Sequence, residues 1–288
     1  MKLLKGKVVA DQVKDTLKVE VEKLKANGKG VHLAIIQVGN DDASSVYVKN
    51  KIKACEYVGI DSTVIRLSSH ISEETLLDTI RKLNEDEVID GILVQLPLPA
   101  HINESLVLST ISPEKDVDGF HAINAGNLML GNDSIVPCTP AGIMMLLSYY
   151  NIAVSGKECV VVGRSNIVGK PMAMLMLHNN ATVTICHSKT ESLKDVCKRA
   201  DILVCAIGKP KFFTSEYVKC GAIVIDVGIH RQADGTLCGD VDFESVDGRA
   251  AAVTPVPGGV GVMTVAMLMY NCLKIAARRC GLESNNEN

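Results

Sequence analysis

The sequence predicts an α/β fold of two domains, an N-terminal one with a mainly parallel sheet and a second one with a doubly wound sheet. Three observations carry that expectation. Short apolar, β-branched runs alternate with amphipathic helical patterns in both halves of the chain. A polar, turn-rich segment from Ser112 to His121 interrupts the alternation. From Cys159 to Pro171, CVVVGRSNIVGKP, a strand pattern suited to burial on both faces breaks at Gly163 and gives way to a helix with proline near its first turn. Such a turn leaves backbone N–H groups free to face a phosphate.

In chain order, Val9, Val13, Leu17, Val21 and Leu24 recur at about four residues and stop at Gly28-Lys29-Gly30, which describes an amphipathic helix. A strand is expected at Val31 to Val38. After Gly39-Asn40-Asp41-Asp42, Ser44 or Ser45 is expected to cap a helix reaching about Tyr57, whose Tyr47 and Lys51 share one face at i, i+4. Thr63 to Leu67 reads as a strand, Ser72 to Leu83 as a helix with acids in its first turn, and Gly91 to Gln95 as a third strand. Pro97 and Pro99 force an extended exit at the carboxyl end of that strand, where ligands of parallel sheets bind. A helix over about Asn103 to Ile111 precedes the crossing. Pro137-Cys138-Thr139-Pro140 then opens a helix to about Tyr150, with Thr139 as its cap and Pro140 at its first position.

The second half adds strands at 159–162, Thr182 to Cys186, Ile202 to Ala206 and Ile223 to Val227, with helices at about 170–179 and Leu193 to Ala200. A rigid and then permissive loop, Thr254-Pro255-Val256-Pro257-Gly258-Gly259-Val260-Gly261, leads into a long apolar helix from about Met263 to Arg279. The resulting division is an α/β domain over 1–118, rejoined by a C-terminal helix over 263–282, a Rossmann-like dinucleotide domain over 119–262, and a disordered tail over 283–288.

The 288 residues carry a net charge of −3 with acids and bases interspersed, so nothing marks a nucleic-acid or membrane partner and a small molecule is expected. No apolar run approaches a bilayer span and the start lacks a signal-peptide core, which points to the cytoplasm. The ten cysteines include no C-x-x-C pair and read as reduced core thiols. The seven histidines show no ligand spacing, so no metal is expected.

CVVVGRSNIVGKP is not the standard G-x-G-x-x-G fingerprint, because Ser165 stands where the second glycine belongs. Taken alone, a glycine turn of this kind also occurs in α/β proteins that bind nothing at it. Beyond the next strand, His187-Ser188-Lys189-Thr190 offers a hydroxyl and a cation where an NAD site would place a carboxylate, and Arg164 adds a second cation. That favours NADP, the alternative being that both cations are merely solvated. Tyr47 and Lys51 form the Y-x-x-x-K pair of short-chain dehydrogenases, but they precede the cofactor turn instead of following it. A half-buried ring beside a snorkelling ammonium is the other reading of that pair.

The segments YVKNKIKACEYVGI, DGILVQLPLP, PEKDVDGFH, PCTPAGI, VVGRSNIVGKP, TVTICHSKT and TPVPGGVG occur together and in order. As a set they resemble the methylenetetrahydrofolate dehydrogenase/methenyltetrahydrofolate cyclohydrolase family over nearly the whole chain. The resemblance implies two domains with a cleft between them, in which one site oxidises 5,10-methylenetetrahydrofolate with NADP and hydrolyses the 5,10-methenyl product to 10-formyltetrahydrofolate. It implies that Lys51 is the central catalytic residue, that Tyr47 lines and orients the folate, that Gln95 hydrogen-bonds Lys51, and that Asp118 grips the pterin ring. Ser44 is implied to order the site, and Pro255 and Gly258 to lie in a loop near the folate. Gly163, Arg164, Ser165, Ser188 and Ile229 match cofactor-binding positions, and a homodimer is implied.

Residue chemistry agrees with these roles. Hydride transfer needs mainly positioning. Hydrolysis needs a group that takes a proton from water beside a cationic carbon, and an ammonium next to that cation is repelled toward the neutral amine. One departure is visible: Val262 stands where the family commonly has proline, in a place that would stiffen the loop and start the helix. Another NADP oxidoreductase and a non-catalytic NADP-binding protein are the rival readings.

Overall fold

Two parallel sheets organise the chain, their central strands apolar and buried on both faces. A computed structural model gives the structure of residues 1–281. The elements run β1 (Lys2–Leu3), α1 (Gly6–Ala26), β2 (His32–Val38), α2 (Asp42–Val58), β3 (Asp61–Leu67), α3 (Glu73–Glu85), β4 (Gly91–Val94), α4 (Glu104–Thr110), α5 (Ala122–Leu130) and α6 (Cys138–Tyr149). They continue with β5 (Glu158–Val162), α7 (Gly169–His178), β6 (Thr182–Cys186), α8 (Leu193–Cys197), β7 (Ile202–Cys205), β8 (Ile223–Asp226), β9 (His230–Arg231), β10 (Leu237–Cys238), α9 (Phe243–Val246), β11 (Ala252–Val253) and α10 (Val260–Arg279).

One compact unit comprises Gln12–Asn127, Asp133–Val136 and the described chain from Val265 onward. Its sheet has the order β3-β2-β4, all parallel. Ala34, Ile36, Ile92 and Val94 on that sheet pack with Leu76 and Ile80 of α3 and Val107 of α4 in one buried cluster. The helices start where side chains supply missing acceptors: Ser72 accepts from Thr75 N–H and Asn103 from Leu106 N–H. α2 stops at Gly59, whose φ of +84° suits glycine and lets its N–H return to Cys55 O. From α10, Asn271 donates to Val117 O and Val136 O, and Arg279 donates to Asp90 and to Ile89 O.

The other unit comprises Met1–Asp11, Leu128–Asn132 and Pro137–Thr264. Its six strands are parallel throughout, in the order β1-β11-β8-β7-β5-β6. Val160, Val162, Leu203, Cys205, Val224 and Val253 bury one continuous core with Phe213. The order runs outward from β5 in both directions, so its carboxyl end is a topological switch point, the usual ligand crevice of open α/β sheets.

Several local expectations change. The cap of α2 is Asp41, whose carboxylate accepts from Ser44 N–H at 2.7 Å; a carboxylate one turn earlier outcompetes the serines. α6 begins at Cys138 with Pro137 before it, and the Thr139 hydroxyl is spent on Thr264 at 3.0 Å instead of on a cap. Helix α5 was not expected, because Ser112 to His121 masks its start with turn residues. Two-residue strands such as β1 and β11 are too short for a periodic signal. The expectation that no apolar run is long enough to span a membrane is corrected: Val260–Arg279 meets that length and composition, with a mean hydropathy of 1.6. More than half of it is buried within the protein, as in a core helix that is apolar on most sides. This helix starts at Val260 without a proline at Val262. The tail expected at 283–288 lies outside the described residues.

Candidate active site

Lys51, Gln95 and Asp118 come together in the first of these units. Gln95 leaves the carboxyl end of β4, held to the adjacent β2 by its N–H to Ile36 O at 2.8 Å. Its side-chain N–H donates to Leu96 O at 2.6 Å, so its oxygen faces the other way. That oxygen accepts from Lys51 Nζ at 3.0 Å. A second polar side chain secures the same helix: buried Gln37, near the end of β2, donates to Ser45 Oγ at 2.9 Å. Two adjacent strands thus grip α2 at their carboxyl ends. Ser44 is buried beside this grip, and Tyr47 is 43% exposed, one turn before Lys51.

Asp118 is delivered by a segment that lies alongside β4. Ile92 N–H donates to Lys115 O at 2.7 Å, and Gly91 is glycine because a Cβ there would meet Val117 Cγ1 at 2.2 Å. Asn271 fixes Val117 O from the α10 side. Buried Asp116 then tightens the turn by accepting from Gly119 N–H, His121 N–H and Asn124 Nδ2. Burial pushes the Asp118 carboxyl up to about 6, against the pull of the Lys51 charge, and Asp116 pushes the same way as burial. The result is a cation, a neutral amide and a carboxyl poised between its two forms. This set can hold a water or a polar heterocycle and exchange a proton with it.

The second unit carries the cofactor candidates. Gly163 has a φ of +137°, and a Cβ on it would meet Ala206 O at 2.2 Å, so the exits of β5 and β7 touch through backbone alone. Gly169 is as constrained, its Cβ position lying 2.2 Å from Gly163 O. Ser165 explains the missing glycine of the fingerprint: its hydroxyl accepts from Val168 N–H and Gly169 N–H and so holds the start of α7. Arg164 and Ser165 are exposed on that turn. β6 pairs with β5 through Val162 and Cys186, which puts His187-Ser188-Lys189-Thr190 at the same sheet end. That turn is closed by His187 N–H to Thr190 Oγ1 at 2.8 Å, leaving Ser188 and Lys189 exposed. Ile229, 45% exposed, follows β8.

Pro255 and Gly258 also belong to this second unit, where Gly258 O accepts from Gly6 N–H and Lys7 N–H and caps the start of α1. Asp116, Gln37 and Asn271 also order the site around Lys51 and Asp118, outside the residues to which the motifs assign roles. Each had a signal, a lone polar residue inside an apolar strand or helix or the first acid of an Asp-x-Asp-Gly turn.

Two family models match the chain: tetrahydrofolate dehydrogenase/cyclohydrolase, catalytic domain, over residues 4–118, and the NAD(P)-binding domain of the same family over residues 137–280. A relative in Agathobacter rectalis described as bifunctional protein FolD is 60% identical over 276 residues, 96% of this chain and 99% of that protein. One of the same description in Acetivibrio thermocellus is 56% identical over 96% of each chain. The crystal structure of the bifunctional dehydrogenase/cyclohydrolase of Campylobacter jejuni superposes with a TM-score of 0.95 at 48% identity, covering 97% of this chain and 99% of that one. The Trypanosoma brucei enzyme, solved with NADP and an inhibitor, gives 0.92 at 38% identity over 96% and 98%.

Proposed function

The chain belongs to the tetrahydrofolate dehydrogenase/cyclohydrolase family, and from that membership we infer that it carries both reactions. It oxidises 5,10-methylenetetrahydrofolate to 5,10-methenyltetrahydrofolate with NADP and hydrolyses the product to 10-formyltetrahydrofolate. The Lys51–Gln95 hydrogen bond beside Asp118 is the observation that carries the assignment of roles.

In the hydrolysis, water adds to the amidinium carbon of the methenyl substrate and must lose a proton. Lys51 is the group we assign to this step, taking the proton as the neutral amine or holding the water, with Gln95 keeping its nitrogen aimed. Asp118, as a carboxylate, accepts from the N–H groups of the aminopyrimidine and fixes the other end of the pterin. Tyr47 offers its exposed ring as a wall for the ligand, and Ser44 supports the turn of helix from which Tyr47 and Lys51 project. Pro255 and Gly258 are assigned to the folate side through their rigid loop.

The Gly163 turn fits a dinucleotide: side-chain-free backbone at the switch point and a helix start whose first amides are ordered by Ser165. Gly163, Arg164, Ser165, Ser188 and Ile229 would hold NADP, with Arg164 and Ser188 toward the 2′-phosphate. When bound, NADP supplies the hydride acceptor for the oxidation. On this assignment the catalytic domain is 1–118 with the C-terminal helical segment from 263, and the cofactor domain is 119–262, to whose sheet Lys2–Leu3 add a strand.

A paired assay on one preparation tests the function. NADPH formation from methylenetetrahydrofolate and hydrolysis of methenyltetrahydrofolate are both expected, with NADP preferred to NAD; absence of either reaction overturns the two-activity reading. We also assign a homodimer in the cytoplasm. Strand β6 ends the sheet order of the cofactor unit with Ile185 38% exposed, which supports a contact there. Sedimentation of a monomer at micromolar concentration would overturn it.

A further inference from the structure

Two buried aspartates in the cofactor unit take no part in the roles assigned so far. Asp240 is fully buried. Its Oδ2 accepts from Ile207 N–H at 2.7 Å and Gly208 N–H at 3.0 Å, and its Oδ1 is bonded to His230 Nε2 at 2.8 Å. Asp226, at the end of β8, accepts in turn from Gly228 N–H, Asp240 N–H and Val241 N–H at 2.8–3.0 Å. The packing leaves no slack: a Cβ on Gly228 would meet Asp240 Oδ1 at 2.4 Å, and one on Gly239 would meet Asp226 Oδ2 at 1.8 Å.

Burying a carboxylate is costly unless donors surround it, and an apolar side chain of similar volume would fill a core more cheaply. Here the partners of Asp240 come from two separate segments, the exit of β7 and His230 beyond β8, and the donors to Asp226 from the exit of β8 and the chain returning at 240–241. Ala206, whose carbonyl abuts Gly163, lies just before Ile207, and Ile229 lies just before His230. The carboxylate therefore joins the segments that border the cofactor turn.

We propose that Asp240 is a positioning residue for the cofactor, its buried carboxylate gathering the exits of β7 and β8 into one rigid rim beside the Gly163 turn. Asp226 sets Asp240 in place, and His230 ties Ile229 to the rim. The proposal rests on the reading of Gly163, Arg164, Ser165, Ser188 and Ile229 as cofactor contacts.

Asp240→Asn in the full chain tests it, because the two activities separate a cofactor effect from a general loss of structure. The amide keeps the shape and one acceptor oxygen. It cannot accept on both sides, so the expected result is a KM for NADP raised about tenfold, with methenyltetrahydrofolate hydrolysis unchanged. An unchanged KM for NADP overturns the proposal, as does an equal loss of both activities. Should Asp240→Asn fail to fold, His230→Gln decides instead: a KM for NADP raised about threefold supports the proposal and an unchanged one overturns it. Arg164→Ala with Ser188→Ala is the companion variant. If it too leaves NADP binding unchanged, the reading of the cofactor contacts fails and the proposal falls with it. If it weakens binding while Asp240→Asn does not, the proposal alone is wrong.

Discussion

Gln95 presents its oxygen to Lys51 at 3.0 Å because its own amide nitrogen is committed to Leu96 O at 2.6 Å. The carboxamide cannot flip without breaking both bonds. The lysine nitrogen is thus aimed by a neutral acceptor. Lys51→Met is expected to lower hydrolysis of methenyltetrahydrofolate by about 10²–10⁴-fold while NADP binding stays near the parent value. Hydrolysis at the parent rate would remove Lys51 from the mechanism.

Asp118 carries a pH signature. Its carboxyl, pushed by burial from 3.8 up to about 6, holds a proton in the folded chain over a range where the unfolded chain has lost it. The contribution of this group to stability therefore falls as pH rises from about 4 to about 6 and is lowest above that. Asp118→Asn is expected to raise Tm at pH 7.5 and to leave it nearly unchanged at pH 4, in calorimetry at the two pH values. A lower Tm at pH 7.5 would contradict the burial penalty.

Substrate binding should respond in the opposite sense. If Asp118 holds the pterin as proposed, its ionised form is the one that accepts, so KM for the folate is expected to rise as pH falls through about 6. Asp118→Asn should raise that KM about tenfold and flatten its pH dependence. A parent-like profile in the variant would assign the titration to another group.

Arg164→Ala with Ser188→Ala is expected to shrink the ratio of kcat/KM for NADP over NAD about tenfold or more, through NADP alone. Both side chains are exposed, so the fold should be unaffected. An unmoved ratio would show that the 2′-phosphate is held elsewhere.

Gly163→Ala tests the turn itself. The added methyl has no room beside Ala206 O, and the backbone at φ +137° is strained for any L side chain. NADP binding is expected to weaken at least tenfold while hydrolysis persists, measured by titration and by the methenyl assay. Parent-like affinity would separate this turn from the cofactor.

The longer strands of both sheets are legible because they are long enough to show a pattern: Leu33 to Ile36 and Val160 to Val162 read as buried strands and are buried. The family motifs named Lys51, Gln95 and Asp118, and the structure joins the first two by a hydrogen bond and the third by charge. Caps were harder, since Asp41 and the serines after it are all good cap residues and only geometry chooses. Asp240 is harder to read for another reason. Two of its donors are backbone amides, which leave no trace in residue type, and they lie as far as 33 residues away.

The pairing of Lys2–Leu3 with Ala252–Val253 places a sheet edge under the control of residues about 250 positions apart. On the ribosome, that strand waits without its neighbour while nearly all of the intervening chain is made. Completion of the six-stranded sheet is then a late event in biogenesis, and the β1 segment is open to chaperones and proteases until β11 emerges.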